Sequence, residues 1–324
     1  MDRRTLLGAG LGSALLPATA LAQPHETGYL PGDSEEFIGL WPGTPPGGEG
    51  VHLNLKVDDV VQPDGFHVRA VSQIQTPGFF VYRPVKPTGL GLLIIPGGGY
   101  TAEGGDRGGR EIARYFADRG IISFVLRYRL PGEGWKNREM VPLQDAQRAM
   151  RLIRAGEYGA GRLGVIGFSA GGHLSATLAV RSGMPTYDAI SPADRGSARP
   201  DIAAHMYPVI TMGPGAHQGS RDKLLGPSPT PQAVAQWSLE NHVTADTVPS
   251  YLCLAADDDI VPPQPNGVTF FSKLQDAKVP SQLDMFEKGG HGFSLHWAQG
   301  KPAGAWPDLF LAWAARHGLM GGTA

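Results

Sequence analysis

The chain has 324 residues, 41% of them hydrophobic and 18% charged, with a formal net charge of −2 at pH 7. That length suits one large α/β domain or two small ones, and the nearly balanced charge leaves no broad basic surface for a nucleic acid. A single cysteine, Cys253, excludes an internal disulfide, so the fold rests on its core alone.

Residues 1–22 read MDRRTLLGAGLGSALLPATALA, with a basic start, an apolar run from Leu6 to Leu16 and Ala20-Leu21-Ala22 as a small-x-small cleavage site. This is the pattern of an export signal, with the mature chain starting at Gln23. Arg3-Arg4 before Thr5-Leu6-Leu7 resembles the twin-arginine class. The resemblance implies the twin-arginine export machinery as a partner and a periplasmic or secreted product. The rivals are an ordinary signal peptide and a retained anchor, but the run is short for a span and is interrupted by Gly and Pro. No later stretch reaches about eighteen uninterrupted apolar residues, so no membrane span is expected in the mature chain.

Residues 23–50 are crowded with Pro and Gly and predict an extended lead-in without regular elements. Residues 51–320 are then expected as a single domain. Val51–Leu55 and parts of Phe66–Ile74 alternate, and Gly78–Tyr82 is strand-like; these predict antiparallel edge strands entering a larger sheet. Leu90–Ile95 is a continuous apolar run, the mark of a strand covered on both faces, and it ends in Pro96-Gly97-Gly98-Gly99-Tyr100. Three glycines there allow the backbone to aim amides into a cavity.

A helix follows over Glu111–Arg119, then a strand over Ile121–Leu126 and a helix over Gln144–Ala155. Leu163–Leu174 reads LGVIGFSAGGHL, a short strand turning into a helix from Ala170 to Val180. Apolar runs at Ile202–Ile210 and Tyr251–Ala256 predict two more strands, the second burying Cys253. Between them, residues 211–249 are rich in Gly, Pro and Ser, with a helical stretch near Gln232–Leu239; they predict a small lid or a surface excursion. A helix over Gly267–Ala277, a strand over Gln282–Phe286 and a closing helix over Trp306–His317 complete the chain. The alternation predicts an α/β fold with a mainly parallel central sheet flanked by helices, without internal repeats.

The chemistry gathers around Gly167-Phe168-Ser169-Ala170-Gly171, a match to the nucleophile-elbow pattern G-x-S-x-G. A sharp strand-to-helix turn presents Ser169 at its apex, and side chains two positions either side would collide, hence the glycines. The Ala170 amide is left free at the helix start, where a developing oxyanion would find a donor. A serine hydroxyl needs a base, and the base needs a carboxylate to fix its tautomer. His291, in Lys288-Gly289-Gly290-His291-Gly292-Phe293, is the candidate base. His173 and His52 have weaker contexts, and His205 closes an apolar run as a candidate for lining a pocket. Among Asp257, Asp258 and Asp259, Asp258 is favoured as the acid, because it lies three positions before Val261 in a D-x-x-V-P arrangement. The order Ser169, Asp258, His291 is that of α/β-hydrolases.

With these residues in view, the sequence resembles the α/β-hydrolase fold, and within it the esterase/lipase-like group that contains acetyl xylan esterases and related carbohydrate esterases. The resemblance rests on Pro96–Tyr100, Tyr128–Pro131, Asp145–Ala149, Gly167–Leu174, the Asp258 loop and the Gly290-His291-Gly292 loop. Where the family commonly has His-Gly-Gly-Gly, Pro96 stands here in place of the histidine. The resemblance implies oxyanion donors at Gly98, Gly99 and Ala170, with Tyr100, His205 and Tyr207 as candidate pocket residues. Asp145 is expected to be structural, paired with Arg127 or Arg129. Trp41, Trp135, Trp237 and Trp297 are candidates to stack on sugar faces or to fill the core.

The expected activity is hydrolysis of a carboxylic ester by an acyl-enzyme route, without metal or cofactor, since no H-x-H or H-E-x-x-H cluster is present. A short acyl group, acetyl, on a small ester or acetylated oligosaccharide is the expected substrate. A serine peptidase of the same fold, a feruloyl esterase and a non-catalytic carbohydrate-binding protein are the alternatives.

Overall fold

The computed structural model describes residue 34, residues 36–156 and residues 158–318. The export signal expected at 1–22 lies outside the described residues. The strands are β1 (Phe37–Gly39), β2 (Lys56–Val61), β3 (His67–Ser72), β4 (Gly78–Tyr82), β5 (Leu90–Ile95), β6 (Glu103–Gly104), β7 (Ile122–Arg127), β8 (Arg162–Phe168), β9 (Ala203–Met206), β10 (Ser250–Ala255) and β11 (Ser281–Phe286). The α-helices are α1 (Glu111–Ala117), α2 (Val141–Ala155), α3 (Ala170–Arg181), α4 (Gln218–Leu225), α5 (Pro231–Trp237), α6 (Thr269–Asp276) and α7 (Trp306–Arg316).

Eight strands form one sheet in the order β1-β4-β7-β5-β8-β9-β10-β11. From β7 to β11 every pairing is parallel, while β1 and β4 join antiparallel at one edge. The central strands are buried on both faces, and their side chains divide between two cores with a period of two. Leu93 and Ile95 of β5 and Leu163 and Val165 of β8 face one core, where α2 brings Ala146, Met150 and Ile153 and α3 brings Leu174 and Leu178. Leu92 and Ile94 of β5 and Ile166 and Phe168 of β8 face the other, against Phe116 of α1 and Trp306, Phe310 and Trp313 of α7. Cys253 is buried in β10 within this second core.

Two expectations near the N-terminus are corrected. The lead-in carries a short regular element, β1, whose Phe37–Gly39 pairs with Gly78–Phe80. It is drawn onto the domain because Leu40 enters the core and Trp41 Nε1 donates to Asp145 Oδ1 at 2.7 Å. Val51–Leu55 does alternate between half-buried and exposed, yet it pairs in no sheet; the Leu53 amide donates to the Gln75 side chain instead. The outer strands β2, β3 and β6 form a separate antiparallel sheet and do not enter the large one.

The buried pair Arg129–Asp145 is fully enclosed, with an Nη2–Oδ1 distance of 2.7 Å. Arg129 also donates to the Pro46 carbonyl at 2.8 Å, so the pair pins the lead-in, the loop after β7 and α2 to one another. Arg127, the other expected partner, lies 3.8 Å from Glu103.

Candidate active site

In an open parallel sheet the loops at the carboxyl ends of the strands meet at one edge, and ligands bind there. Here the loops after β5, β8, β9, β10 and β11 carry Gly98, Ser169, Tyr207, Asp258 and His291. Ser169 stands between β8 and α3 with φ 55° and ψ −116°, a conformation that non-glycine residues rarely adopt. The surrounding glycines permit it. A Cβ at Gly167 would lie 2.0 Å from the Gly171 carbonyl oxygen, one at Gly171 2.3 Å from that of Ile95, and one at Gly172 2.7 Å from Pro208 Cβ.

Ser169 Oγ is 2.8 Å from His291 Nε2, and His291 Nδ1 is 2.7 Å from Asp258 Oδ2. A carboxylate only accepts, so Nδ1 carries the proton and the Nε2 lone pair faces the serine hydroxyl. Asp258 is buried, and its Oδ1 accepts from the amides of Ile260 at 3.0 Å and Val261 at 2.9 Å. Those two bonds fix the carboxylate against the imidazole. Asp257 holds the histidine loop instead. Its Oδ1 accepts from the Gly289 and Gly290 amides at 2.9 and 2.8 Å, and these bonds keep its carboxyl below the ordinary range. Asp259 is exposed. The Tyr207 ring meets His291 edge-on at 5.2 Å between centroids.

The loop after β5 folds back through two positive-φ glycines, Gly98 at 132° and Gly99 at 64°. A side chain at Gly98 would strike the Ala102 carbonyl at 2.0 Å, and that turn leaves Gly98 exposed on the cleft. The amides of Gly98, Gly99 and Ala170 donate to no protein acceptor among the described residues. They are therefore available to a developing negative oxygen.

Behind the loop, Tyr128 OH donates to the Pro96 carbonyl at 3.0 Å, and the buried Glu103 accepts the Tyr128 amide. Burial raises the Glu103 carboxyl to about 8, against the opposing pull of Arg127 and the Tyr128 amide.

Gly98, Gly99, Ser169, Tyr207 and His291 line a cleft of about 330 Å³. Ala170 is buried at the start of α3, beside the serine. Two candidate pocket residues are corrected. Tyr100 is buried away from the cleft, its hydroxyl 2.9 Å from His173 Nδ1. The second nitrogen of His173 donates to the Trp237 carbonyl at 2.9 Å, so the ring is a neutral tie between the loop after β5, α3 and α5, and burial lowers it to about 4. His205 is likewise enclosed, with Nδ1 2.8 Å from Ser175 Oγ, and burial lowers it to about 3. Tyr100 turns into the core from the loop after β5, and His205 lies within β9, so neither side chain reaches the cleft.

None of the four candidate tryptophans lines the cleft: Trp135 and Trp237 are buried, Trp41 is held by Asp145, and Trp297 lies beneath Arg107. Sequence reasoning missed His217 and Arg107, which do line it. His217 caps α4, its Nδ1 2.8 Å from Ser220 Oγ, and burial followed by the nearby His291 lowers its basicity. It brings residues 211–249 to the cleft wall, and its one sequence signal was its place after the end of β9. Among the described residues, no group of three or more His, Cys, Asp or Glu is arranged to hold a metal ion.

The parallel sheet, the strained elbow and the converging loops define an α/β-hydrolase. A crystal structure of an acetyl ester-xyloside bifunctional hydrolase from Caldicellulosiruptor lactoaceticus superposes with a TM-score of 0.72 and 31% identity, over 89% of this chain and 98% of that one. The chain belongs to the BD-FAE family, whose model matches residues 81–274. It is also similar to an acetylxylan esterase of Xylanibacter ruminicola, 30% identical over 66% of this chain and 43% of that protein. An endo-1,4-beta-xylanase B of Butyrivibrio fibrisolvens is 35% identical over 63% of this chain and 32% of its own length. The chain thus spans less than half of each of these two curated relatives.

Proposed function

We propose that this chain is an exported serine esterase that removes short acyl groups, acetyl above all, from saccharides. The observation that carries the reading is the unbroken hydrogen-bonded series Ser169–His291–Asp258 at a cleft lined by Gly98 and Gly99. The acetylxylan esterase and acetyl ester hydrolase among its relatives support the substrate class. The sequence of residues 1–22 supports export, with the twin-arginine machinery as the route.

In this mechanism His291 Nε2 takes the Ser169 proton as Oγ attacks the acyl carbon, and Asp258 stabilises the imidazolium that forms. The amides of Gly98, Gly99 and Ala170 receive the oxyanion. Collapse of the tetrahedral intermediate breaks the bond to the alcohol oxygen, which leaves with the proton from His291. Water then enters, gives a proton to His291 and attacks the acyl carbon; as the bond to Ser169 Oγ breaks, His291 returns that proton to Oγ and the carboxylic acid leaves. No step calls for a metal or cofactor.

The test is kcat/KM on acetyl, butyryl, octanoyl and feruloyl esters, with acetate release from acetylated xylan in excess chelator. Acetyl is expected to lead, and acetate release is expected from the polymer. Octanoyl ahead of acetyl would overturn the short-acyl reading. Efficient acetyl cleavage without saccharide activity would remove the proposed substrate.

A further inference from the structure

Among the described residues, Arg107 is the one permanently charged side chain on the cleft. It lies in the turn Asp106–Arg110 that leads from the oxyanion loop into α1, and its guanidinium is held over the Trp297 ring at 4.9 Å. Space has been made for it: a Cβ at Gly292, where φ is 76°, would lie 3.3 Å from the Arg107 Cζ.

The surrounding carboxylates are already engaged. Asp106 pairs with Arg69 and, at 2.7 Å, with Arg110. Glu111 accepts from Ser294 Oγ at 2.6 Å, Asp258 faces His291, and Asp257 holds the Gly289 and Gly290 amides. Among the described residues the Arg107 guanidinium therefore has no ion pair or hydrogen bond. Its forked donors stand at the cleft with a ring beneath them, an arrangement suited to a planar anion.

We propose that Arg107 is a specificity residue that binds a carboxylate on the alcohol portion of the ester, so that the preferred substrates are acylated acidic saccharides bearing a uronate. The proposal rests on the esterase reading above for the side of the cleft it assigns. His291 hands its proton to the leaving oxygen, so the alcohol occupies the His291 side, and Arg107 abuts Gly292, the next residue. A neutral sugar would offer hydroxyls there but no charge to match the guanidinium.

The experiment compares one acetylated xylo-oligosaccharide carrying a glucuronate branch with the same compound after methyl esterification of that carboxyl, which removes the charge and keeps the leaving oxygen. Wild-type kcat/KM is expected to be about tenfold higher for the free carboxylate, chiefly through KM, with the ratio shrinking as salt is raised. In R107Q the ratio falls to near one, and R107K lies between. Equal wild-type values, or a preference that survives in R107Q, would overturn the proposal. Calorimetric binding of the deacetylated acidic oligosaccharide and its methyl ester to wild type and R107Q gives the same ratio without turnover. Tighter acidic binding without hydrolysis would discard the esterase reading alone, whereas equal binding beside active hydrolysis would discard this one alone.

Discussion

At Ser169 the backbone is held at φ 55° by neighbours that could not carry a side chain, so the strain is stored where a nucleophile would have to be presented. The glycine spacing made this legible in sequence, because a steric exclusion leaves a mark in residue type. The choice among Asp257, Asp258 and Asp259 had a weaker mark, and the geometry separates them by partner: the histidine ring for Asp258, the Gly289 and Gly290 amides for Asp257, solvent for Asp259. Asp258→Asn is accordingly expected to cut kcat on the order of 10^4-fold, since an amide cannot enforce the Nδ1–H tautomer. Asp257→Asn should cost about tenfold or less through a looser loop, and Asp259→Asn almost nothing. Steady-state kinetics on p-nitrophenyl acetate check the series; a collapse in D257N or D259N beside a near-normal D258N would reverse the assignment. His217 and Arg107 left no such mark, because their places on the cleft depend on how long loops return to it.

Among the elements, the buried strands were legible because a run such as Leu90–Ile95 serves two cores at once and so is apolar at every position. In the small outer sheet β3 was legible through the alternation within Phe66–Ile74, but β2 was not: it reads Lys-Val-Asp-Asp-Val-Val and is largely exposed, so burial imposes no pattern on it. The glycine loop after β5, the proposed oxyanion loop, lies between these cases. Its glycines were visible, but their unequal constraints appear only in space, where an added Cβ meets backbone at 2.0 Å at Gly98 and nothing closer than 3.7 Å at Gly99. Gly98→Ala is therefore expected to lower kcat by about 10^2-fold or more by displacing the loop, whereas Gly99→Ala bears only the strain of its φ and should lose less than about tenfold. Comparable losses in both variants, at matched melting temperatures, would show that steric closure at Gly98 does not govern the loop.

For the whole molecule, the two enclosed histidines make acid stability predictable. His173 and His205 titrate near 4 and 3 in the folded chain, against about 6.5 in the unfolded one. Between pH 6.5 and about 4 each is neutral when folded and protonated when unfolded, so unfolding takes up protons and stability falls as pH falls. The loss approaches about 1.4 kcal/mol per pH unit for each ring. Urea unfolding of His205→Asn beside wild type at pH 7.5, 6 and 4.5 should show the variant losing less on acidification, by about 2 kcal/mol over that range. Parallel curves would mean that His205 is not held neutral.

Ser169, driven by His291 and Asp258, is proposed to carry the acyl group between alcohol and water, and every other functional assignment depends on that step. Rapid-quench mass spectrometry after mixing with p-nitrophenyl acetate tests it most directly. A burst of p-nitrophenol and a transient acetyl group on the peptide containing Ser169 are expected, with both lost in Ser169→Ala. Turnover that persists in Ser169→Ala, or an acetyl group trapped on another residue as the enzyme turns over, would contradict it.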